Sequence, residues 1–293
     1  VRSLYFGKSY TKGEKSEYII SSEMKSMLTC NNISQFTPGH YCTIQDRNVT
    51  FHCYCNILDR NKYPFHNSHN LLYEKLDRAV QKRMMSDRSI GCLLSGGLDS
   101  SIVTALACKY INNVNTYAIG LEGSVDLMWA KKVSEYLGTT HHECVLKETD
   151  FINAIEDTIY CIESYDTTTV RASIGNRLVS KFVKEIGKDA VLLVGDVSDE
   201  LFGSYRGMGL TDSSNEFQEE NEKLIKNIHY FDILRSDKTI SSAGLEARVP
   251  FSDLDFMSYV MSISPELKMF NNNKLEKAIL RDAFKGVLPD DVL

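Results

Sequence analysis

The chain has 293 residues, of which 43% are hydrophobic and 25% charged, and carries a formal net charge of -6. It is longer than a typical domain of about 100–200 residues, so one large domain or two unequal ones are expected, and the composition excludes a disordered chain. No Lys/Arg block gives the footprint of a nucleic-acid binder, no apolar run nears the ~18 residues that span a bilayer, and the opening residues lack a signal-peptide pattern. The expectation is a cytoplasmic protein with no nucleic-acid and no membrane partner. Cysteines occur at eight positions without a C-x-x-C pair. Cys53 and Cys55 alternate onto one strand face and read as buried thiols, as do Cys92 and Cys108 within apolar runs.

From Val1 to about Ile57 the sequence is β-like. Glu17–Ile20 has strand character, and Tyr41–Ile44 and Val49–Tyr54 flank a turn at Gln45–Asn48. A stretch of fewer than about 60 residues is marginal as a domain, so it reads as the tail of something larger. Asp59–Ser68 is polar, contains Pro64 and reads as a linker before an amphipathic helix over Leu71–Val80. Strands then follow at Ile90–Leu94, Val114–Ile119, Thr140–Val145 and Ala190–Val194. Helices at Asp99–Tyr110 and Asp126–Leu137 separate the first three, and two helical runs precede the fourth. Short apolar strands alternating with amphipathic helices predict an α/β fold with a parallel sheet covered on both faces. From Ser204 onward the pattern is helical with polar interruptions, and Thr211–Asn221 has the composition of a mobile loop.

The run Ser95-Gly96-Gly97-Leu98-Asp99-Ser100-Ser101 follows the first of these strands and opens a helix. Adjacent glycines let backbone approach an oxyanion, and serine hydroxyls with the first N–H groups of a helix supply donors. A Walker A loop would end in Gly-Lys-Ser/Thr, and this one has no lysine, so a phosphate cradle for chemistry other than γ-phosphoryl transfer is implied. A second run, Gly195-Asp196-Val197-Ser198-Asp199-Glu200, follows the Ala190–Val194 strand. Its three carboxylates repel one another at a strand end that faces the same crevice, and bound Mg²⁺ would relieve them.

Ser95–Ser101 resembles the S-G-G-x-D-S loop of the ATP pyrophosphatase superfamily. Further runs make the chain resemble the glutamine-dependent asparagine synthetases. Ser22–Lys25 and Phe36–Tyr41 are similar to the end of their glutaminase domain. Tyr165–Arg171, Asp199–Gly203, Gly244–Phe251 and Lys274–Arg281 are similar to runs of their synthetase domain. The resemblance implies a doubly wound parallel sheet of the ATP pyrophosphatase type, adenine nucleotide α-hydrolase-like, over 61–293. It implies for 1–60 the β-rich remnant of an N-terminal-nucleophile glutaminase (amidotransferase type 2) domain. The implied reaction uses ATP and Mg²⁺ to adenylate the side-chain carboxylate of aspartate, after which ammonia, from glutamine in an intact parent, displaces AMP. A homodimer is a possible assembly.

By the same resemblance Ser95, Gly97, Asp99, Ser100 and Ser101 hold the departing pyrophosphate, where donors matter most as charge accumulates, and Gly96 is a nucleotide contact of the same loop. Leu94 and Ile119 fall where the family lays its adenosine, and Gly195 joins the nucleotide contacts. Asp99 and Asp199 are the implied metal carboxylates. Asp196 stands where several members have a glutamate assigned as the base for ammonia, and Val197 stands where glycine is common. Asp232 and Arg235 match a contact pair beside the site. The sequence lacks the family's amino-terminal cysteine nucleophile, and it stops before the R-x-K-E run that carries the family's catalytic lysine. Lys274 and Lys277 belong to an upstream helix and are not assigned that role. Two other readings stand beside this one: a relative that adenylates a different carboxylate, and a non-catalytic nucleotide-binding fragment.

Overall fold

A computed structural model describes residues 3–9, 17–45, 48–56, 58, 69–271 and 274–293. The N-terminal region holds β1 (Tyr5–Ser9), β2 (Glu17–Ser21) and β3 (Cys30–Gln35) in an antiparallel sheet of order β2-β1-β3. The hairpin β4 (His40–Gln45) and β5 (Asn48–Cys53) lies beside it. Period-2 alternation along β1 buries Tyr5 and Ser9 on one face and turns Phe6 to the other. There Phe6 stacks on Tyr18 at 5.3 Å and meets Phe51 edge-on at 5.9 Å, so an aromatic cluster joins hairpin and sheet. The expected linker Asp59–Ser68 lies outside the described residues. Cys53 is exposed and Cys55 falls beyond the end of β5, which corrects the reading of these two as buried thiols of one strand.

Helix α1 (His69–Lys82) buries Leu72, Leu76, Ala79 and Val80, a stripe at helical spacing. Next come β6 (Ile90–Leu93), α2 (Leu98–Ala107), β7 (Asn115–Leu121), α3 (Val125–Leu137) and β8 (Thr140–Leu146). Three helices follow rather than the expected two: α4 (Glu148–Asn153), α5 (Ile155–Ile162) and α6 (Thr167–Ile186). The remainder comprises β9 (Val191–Leu193), α7 (Ser198–Phe202), α8 (Ser214–Asn227), α9 (Asp232–Ser242), β10 (Glu246–Arg248), α10 (Leu254–Ser262), α11 (Pro265–Lys268) and α12 (Ala278–Ala283).

The central sheet is parallel, in the order β10-β9-β6-β7-β8. Cys92, Leu192 and Leu193 are fully buried in it, as a sheet covered on both faces requires. The chain winds from β6 outward through β7 to β8, then returns to place β9 on the other side of β6. That reversal is a switch point, and the loops at the carboxyl ends of β6 and β9 lie side by side there, where sheets of this kind bind their ligands.

Two expectations for the C-terminal part fail. The stretch Thr211–Asn221 is largely helix α8: the Ser213 side chain accepts the Glu216 N–H, and Phe217, Gln218, Asn221 and Ile225 are buried. Two of these four are polar, which hides the inward face in the composition. The fifth strand, β10, was not expected at all and pairs through Glu246–Arg248 with Val191–Leu193. No helix among the described residues is long and apolar enough to cross a membrane.

Candidate active site

The serine-glycine loop turns from β6 into α2 through three positions with different constraints. Gly96 has φ 78°, and a Cβ there would lie 2.4 Å from the Ala130 backbone nitrogen and 2.5 Å from Trp129, so only glycine lets the loop lie against α3. Gly97, by contrast, has φ -72° as the N-cap of α2, and its nearest neighbour is the Ser95 hydroxyl at 3.4 Å. Packing does not require glycine at that point, and the exposed backbone there stands open to a ligand. Ser95 is exposed, Ser100 half-buried, and their hydroxyls lie 3.0 Å apart; the Gly97 N–H meets the Ser95 hydroxyl at 3.3 Å. Hydroxyls and N–H groups thus converge at a helix N-terminus, an arrangement suited to an oxyanion. Ser101 differs: it is fully buried, and its hydroxyl has no hydrogen-bond partner among the described residues.

The loop after β9 packs against this cradle. A Cβ on Gly195 would stand 2.8 Å from the Ser100 backbone nitrogen, so the two loops touch backbone to backbone. Val197 has φ 81° and is 1% exposed, a left-handed conformation that a β-branched residue adopts only under strain. The backbone therefore keeps the shape a glycine would take, and the valine methyls are buried in the core.

The three carboxylates of this loop are separated by three devices. Asp196 turns toward α9, where Arg235 donates to it at 2.9 Å and the Ser236 hydroxyl donates to its other oxygen. Arg235 also pairs with Asp232 at 3.0 Å, and these two carboxylates, working against burial, hold its guanidinium well above the ordinary range. Glu200 is fully buried, accepts from the Tyr205 hydroxyl, and is pushed up to about 8 by burial and by the Asp232 charge, so it carries a proton at neutral pH. Asp199 turns toward Lys277 and accepts from Ser204.

The third device joins the two loops. The Lys277 ammonium lies 2.6 Å from Asp99 Oδ2 and 2.7 Å from Asp199 Oδ1, with its side chain 5% exposed. Ser198 donates to the other oxygen of Asp99 at 2.7 Å. Burial opposes charge on Lys277, but the attraction of both carboxylates holds it above its usual range. One ammonium shared by two carboxylates sets them in competition. Asp99, the more enclosed, is raised by burial and by Asp199 against the pull of Lys277; Asp199 comes out below the ordinary range because Lys277 and Ser204 outweigh its burial.

The structure thus brings Ser95, Gly96, Gly97, Asp99, Ser100, Gly195 and Asp199 together at the switch point. Leu94 is 1% exposed, its N–H bonded to the Tyr117 carbonyl, so it offers a ligand backbone only. Ile119 is half-buried two residues further along β7. Asp196 is in the same loop but is engaged by α9. Lys277 is the residue that sequence reasoning missed. It stands one position before α12 with φ 56°, a left-handed turn that aims its side chain away from the helix to which the sequence assigns it. Lys274 donates instead to the Glu266 and Leu267 carbonyls at the end of α11 and has no part in the cradle. Of the remaining runs, Asp166 caps α6 by accepting the Thr169 N–H at 2.8 Å, and Glu246–Arg248 forms the edge strand.

Comparisons with known proteins agree in direction. The asparagine synthase family model matches residues 71–225 and 209–293. The chain is 35% identical to a probable glutamine-hydrolyzing asparagine synthetase of Acanthamoeba polyphaga mimivirus, over 100% of this chain and 57% of that protein. It is 36% identical to the glutamine-hydrolyzing asparagine synthetase of Cricetulus griseus, over 94% of this chain and 55% of that one. A probable enzyme of the same name from Schizosaccharomyces pombe is 36% identical over 100% of this chain and 57% of its own length. The chain therefore spans a little over half the length of these relatives. Among solved structures, NMN synthetase from Francisella tularensis aligns with TM-score 0.37 and 16% identity, covering 76% of this chain and 93% of that one.

Proposed function

Because the chain belongs to the asparagine synthase family, we propose that it binds ATP at the switch point and activates the side-chain carboxylate of aspartate for amidation. One observation carries this reading: two glycine-bearing loops meet backbone to backbone at the carboxyl ends of β6 and β9, with a buried ammonium between them. Leu94 and Ile119 would flank the adenosine at the ends of their strands. An aspartate carboxylate oxygen attacks the α-phosphorus, and the bond from that phosphorus to its bridging oxygen breaks. Pyrophosphate leaves as an anion whose growing charge is met by the Ser95 and Ser100 hydroxyls, the Gly97 N–H and the Lys277 ammonium, which takes the place of the lysine a P-loop would carry. Ser101 would serve only from beneath, as part of the first turn of α2.

Mg²⁺ arriving with the nucleotide would neutralise phosphate oxygens, and Asp99 and Asp199 would hold it. Two carboxylates with phosphate and water completing the shell is the usual donor set for this ion. With the metal on the two carboxylates, Lys277 would be free to turn to the phosphates, and the charge balance of the site would survive the exchange. Ammonia then attacks the acyl carbon of the aspartyl adenylate, AMP departs, and the ammonia-derived proton passes to Asp196, which Arg235 and Ser236 orient. The stretch 1–60 belongs in this reading with a glutaminase domain that supplies ammonia from glutamine, and 61–293 with the synthetase domain. A cytoplasmic setting suits these substrates.

The test supplies the chain with aspartate, Mg·ATP and ammonium and follows the nucleotide products. AMP and pyrophosphate that depend on aspartate are expected. ADP and orthophosphate would refute the assignment. Pyrophosphate exchange driven by another carboxylate and not by aspartate would transfer it to a different acid. Nucleotide binding without aspartate-dependent pyrophosphate release would mark a non-catalytic module.

A further inference from the structure

Helix α9 carries two sets of contacts less than one turn apart. Arg235 and Ser236 hold Asp196, while the next two residues hold the N-terminal β region. Asp237 Oδ2 accepts the Ser3 N–H at 2.9 Å. The Lys238 ammonium, on a residue 1% exposed, donates to Glu163 at 2.6 Å, to Glu23 at 3.0 Å and to the Ser22 carbonyl at 3.0 Å, and lies 5.0 Å from the centre of the Tyr5 ring. Glu163 completes the junction from the synthetase side. Its carboxylate also accepts the backbone N–H groups of Met24 at 3.0 Å and Lys25 at 2.6 Å.

Two features set this junction apart from an ordinary seam between packed elements. Glu163 ends α5 with φ 57°, a left-handed position that glycine fills without strain, so a residue with a long acidic side chain persists against its backbone preference. Lys238 is an ammonium buried with two carboxylates, and unseating the segment would strip Glu23 and the Ser22 carbonyl from it, leaving a buried ammonium short of two acceptors. The junction is therefore discrete: it is seated or it is not. With a rise of about 1.5 Å per residue, Lys238 and Arg235 lie less than one turn apart on a single hydrogen-bonded helix, so α9 cannot slip at Lys238 and stay fixed at Arg235.

We propose that Glu163 and Lys238 are positioning residues for the amidation step. Seating of the Ser22–Lys25 segment on them fixes α9, and α9 in turn fixes the Asp196 carboxylate through Arg235 and Ser236. The inference rests on the reading of Asp196 as the group that serves ammonia. Adenylation is served by the Ser95–Ser101 loop, Gly195, Asp199 and Lys277, none of which bonds to Glu163 or Lys238. The N-terminal region thereby controls the step that uses ammonia and leaves nucleotide binding alone, which is the dependence a region associated with ammonia supply should impose.

The test uses Glu163→Gly, which suits the left-handed backbone and removes the side chain with its carboxylate, with Lys238→Met as a second variant. Amide hydrogen exchange of the whole chain is expected to quicken at least fivefold at Asp196 and Arg235–Lys238 as well as at Ser22–Lys25, with Ser95–Ser101 unchanged. Acceleration confined to Ser22–Lys25 would overturn the proposal. In the activity arm, aspartate-dependent ATP–pyrophosphate exchange should stay within twofold while ammonium-dependent amide formation falls at least fivefold. Equal losses in both reactions, or none in either, would also overturn it. If the unsubstituted chain shows no such exchange at all, the reading of function fails, and the hydrogen-exchange arm still decides the coupling by itself.

Discussion

Replacing Lys277 with methionine removes the ammonium and keeps most of the volume, leaving Asp99 and Asp199 facing each other across the space it filled. Breaking a buried ion pair from one side costs about 3–5 kcal/mol, because the stranded charge remains desolvated. Asp199 is 47% exposed at its side chain and so screened by water, which brings the expected loss to about 2–3 kcal/mol at pH 7.5. The pH dependence follows from Asp99. Burial already raises its pKa, and without Lys277 it rises further, so between its unfolded value and that raised value the native state holds more protons than the unfolded one. Stability then falls as pH climbs through that window, and the loss in Lys277→Met should be smaller at pH 5.5 than at 7.5. Urea denaturation at the two pH values measures it. Millimolar Mg²⁺ should restore part of the loss at pH 7.5 and do less for the unsubstituted chain. A loss below about 0.5 kcal/mol, well under that expected for a buried pair, or one larger at pH 5.5, would refute the shared-ammonium account.

The two glycines of the cradle should separate folding from binding. Gly96→Ala, with a Cβ driven into the Trp129–Ala130 backbone at positive φ, is expected to destabilise by several kcal/mol, on the order of 3. Gly97→Ala should fold within about 1 kcal/mol of the parent and yet bind ATP at least tenfold more weakly, read by quenching of the single tryptophan, Trp129, beside the loop. Normal ATP affinity in Gly97→Ala would remove the loop backbone from the nucleotide site. Glu200→Gln addresses the buried acid: with a native pKa near 8 and an unfolded value near 4.5, Glu200 makes stability fall between those limits by up to about 1.4 kcal/mol per pH unit, and the amide should flatten that slope in denaturation curves. Asp196→Asn should preserve aspartate-dependent pyrophosphate exchange and slow amide formation by about 10²-fold, the lower range for loss of a general base. Loss of exchange as well would assign Asp196 to adenylation.

What was legible in the sequence was local. The strands β6, β7 and β9 carry short apolar runs bounded by polar turns, β8 is a polar edge strand placed by its Cys144–Leu146 end, and the serine-glycine loop is a contiguous motif, so the sheet and its cradle are readable from the sequence. Val197 was legible too, as a side chain where the backbone wants glycine, and its φ of 81° shows that the fold keeps the shape and tolerates the strain. The misses are contacts between distant segments. Lys277 reaches Asp99 across 178 positions through one left-handed residue, and no periodicity announces such a turn. The strand β10 has three residues and borrows its pairing from β9. Helix α8 looked like a loop because Asn221, fully buried, bonds to the backbone of α7 and to Lys268, and a polar residue with an interior partner is indistinguishable in sequence from one in water. Relief of the Asp196, Asp199 and Glu200 repulsion was expected from a metal alone, whereas Arg235, Lys277 and a proton on Glu200 already supply it.

Oxygen transfer tests the central claim most directly. With aspartate carrying ¹⁸O in its side-chain carboxylate, attack on the α-phosphorus leaves one labelled oxygen in the phosphate of AMP when ammonia releases the acyl group. The account predicts that label in AMP, with none in pyrophosphate. Label in orthophosphate alongside ADP would mean attack on the γ-phosphorus, and the cradle at Ser95–Ser101 would then have been assigned to the wrong phosphate.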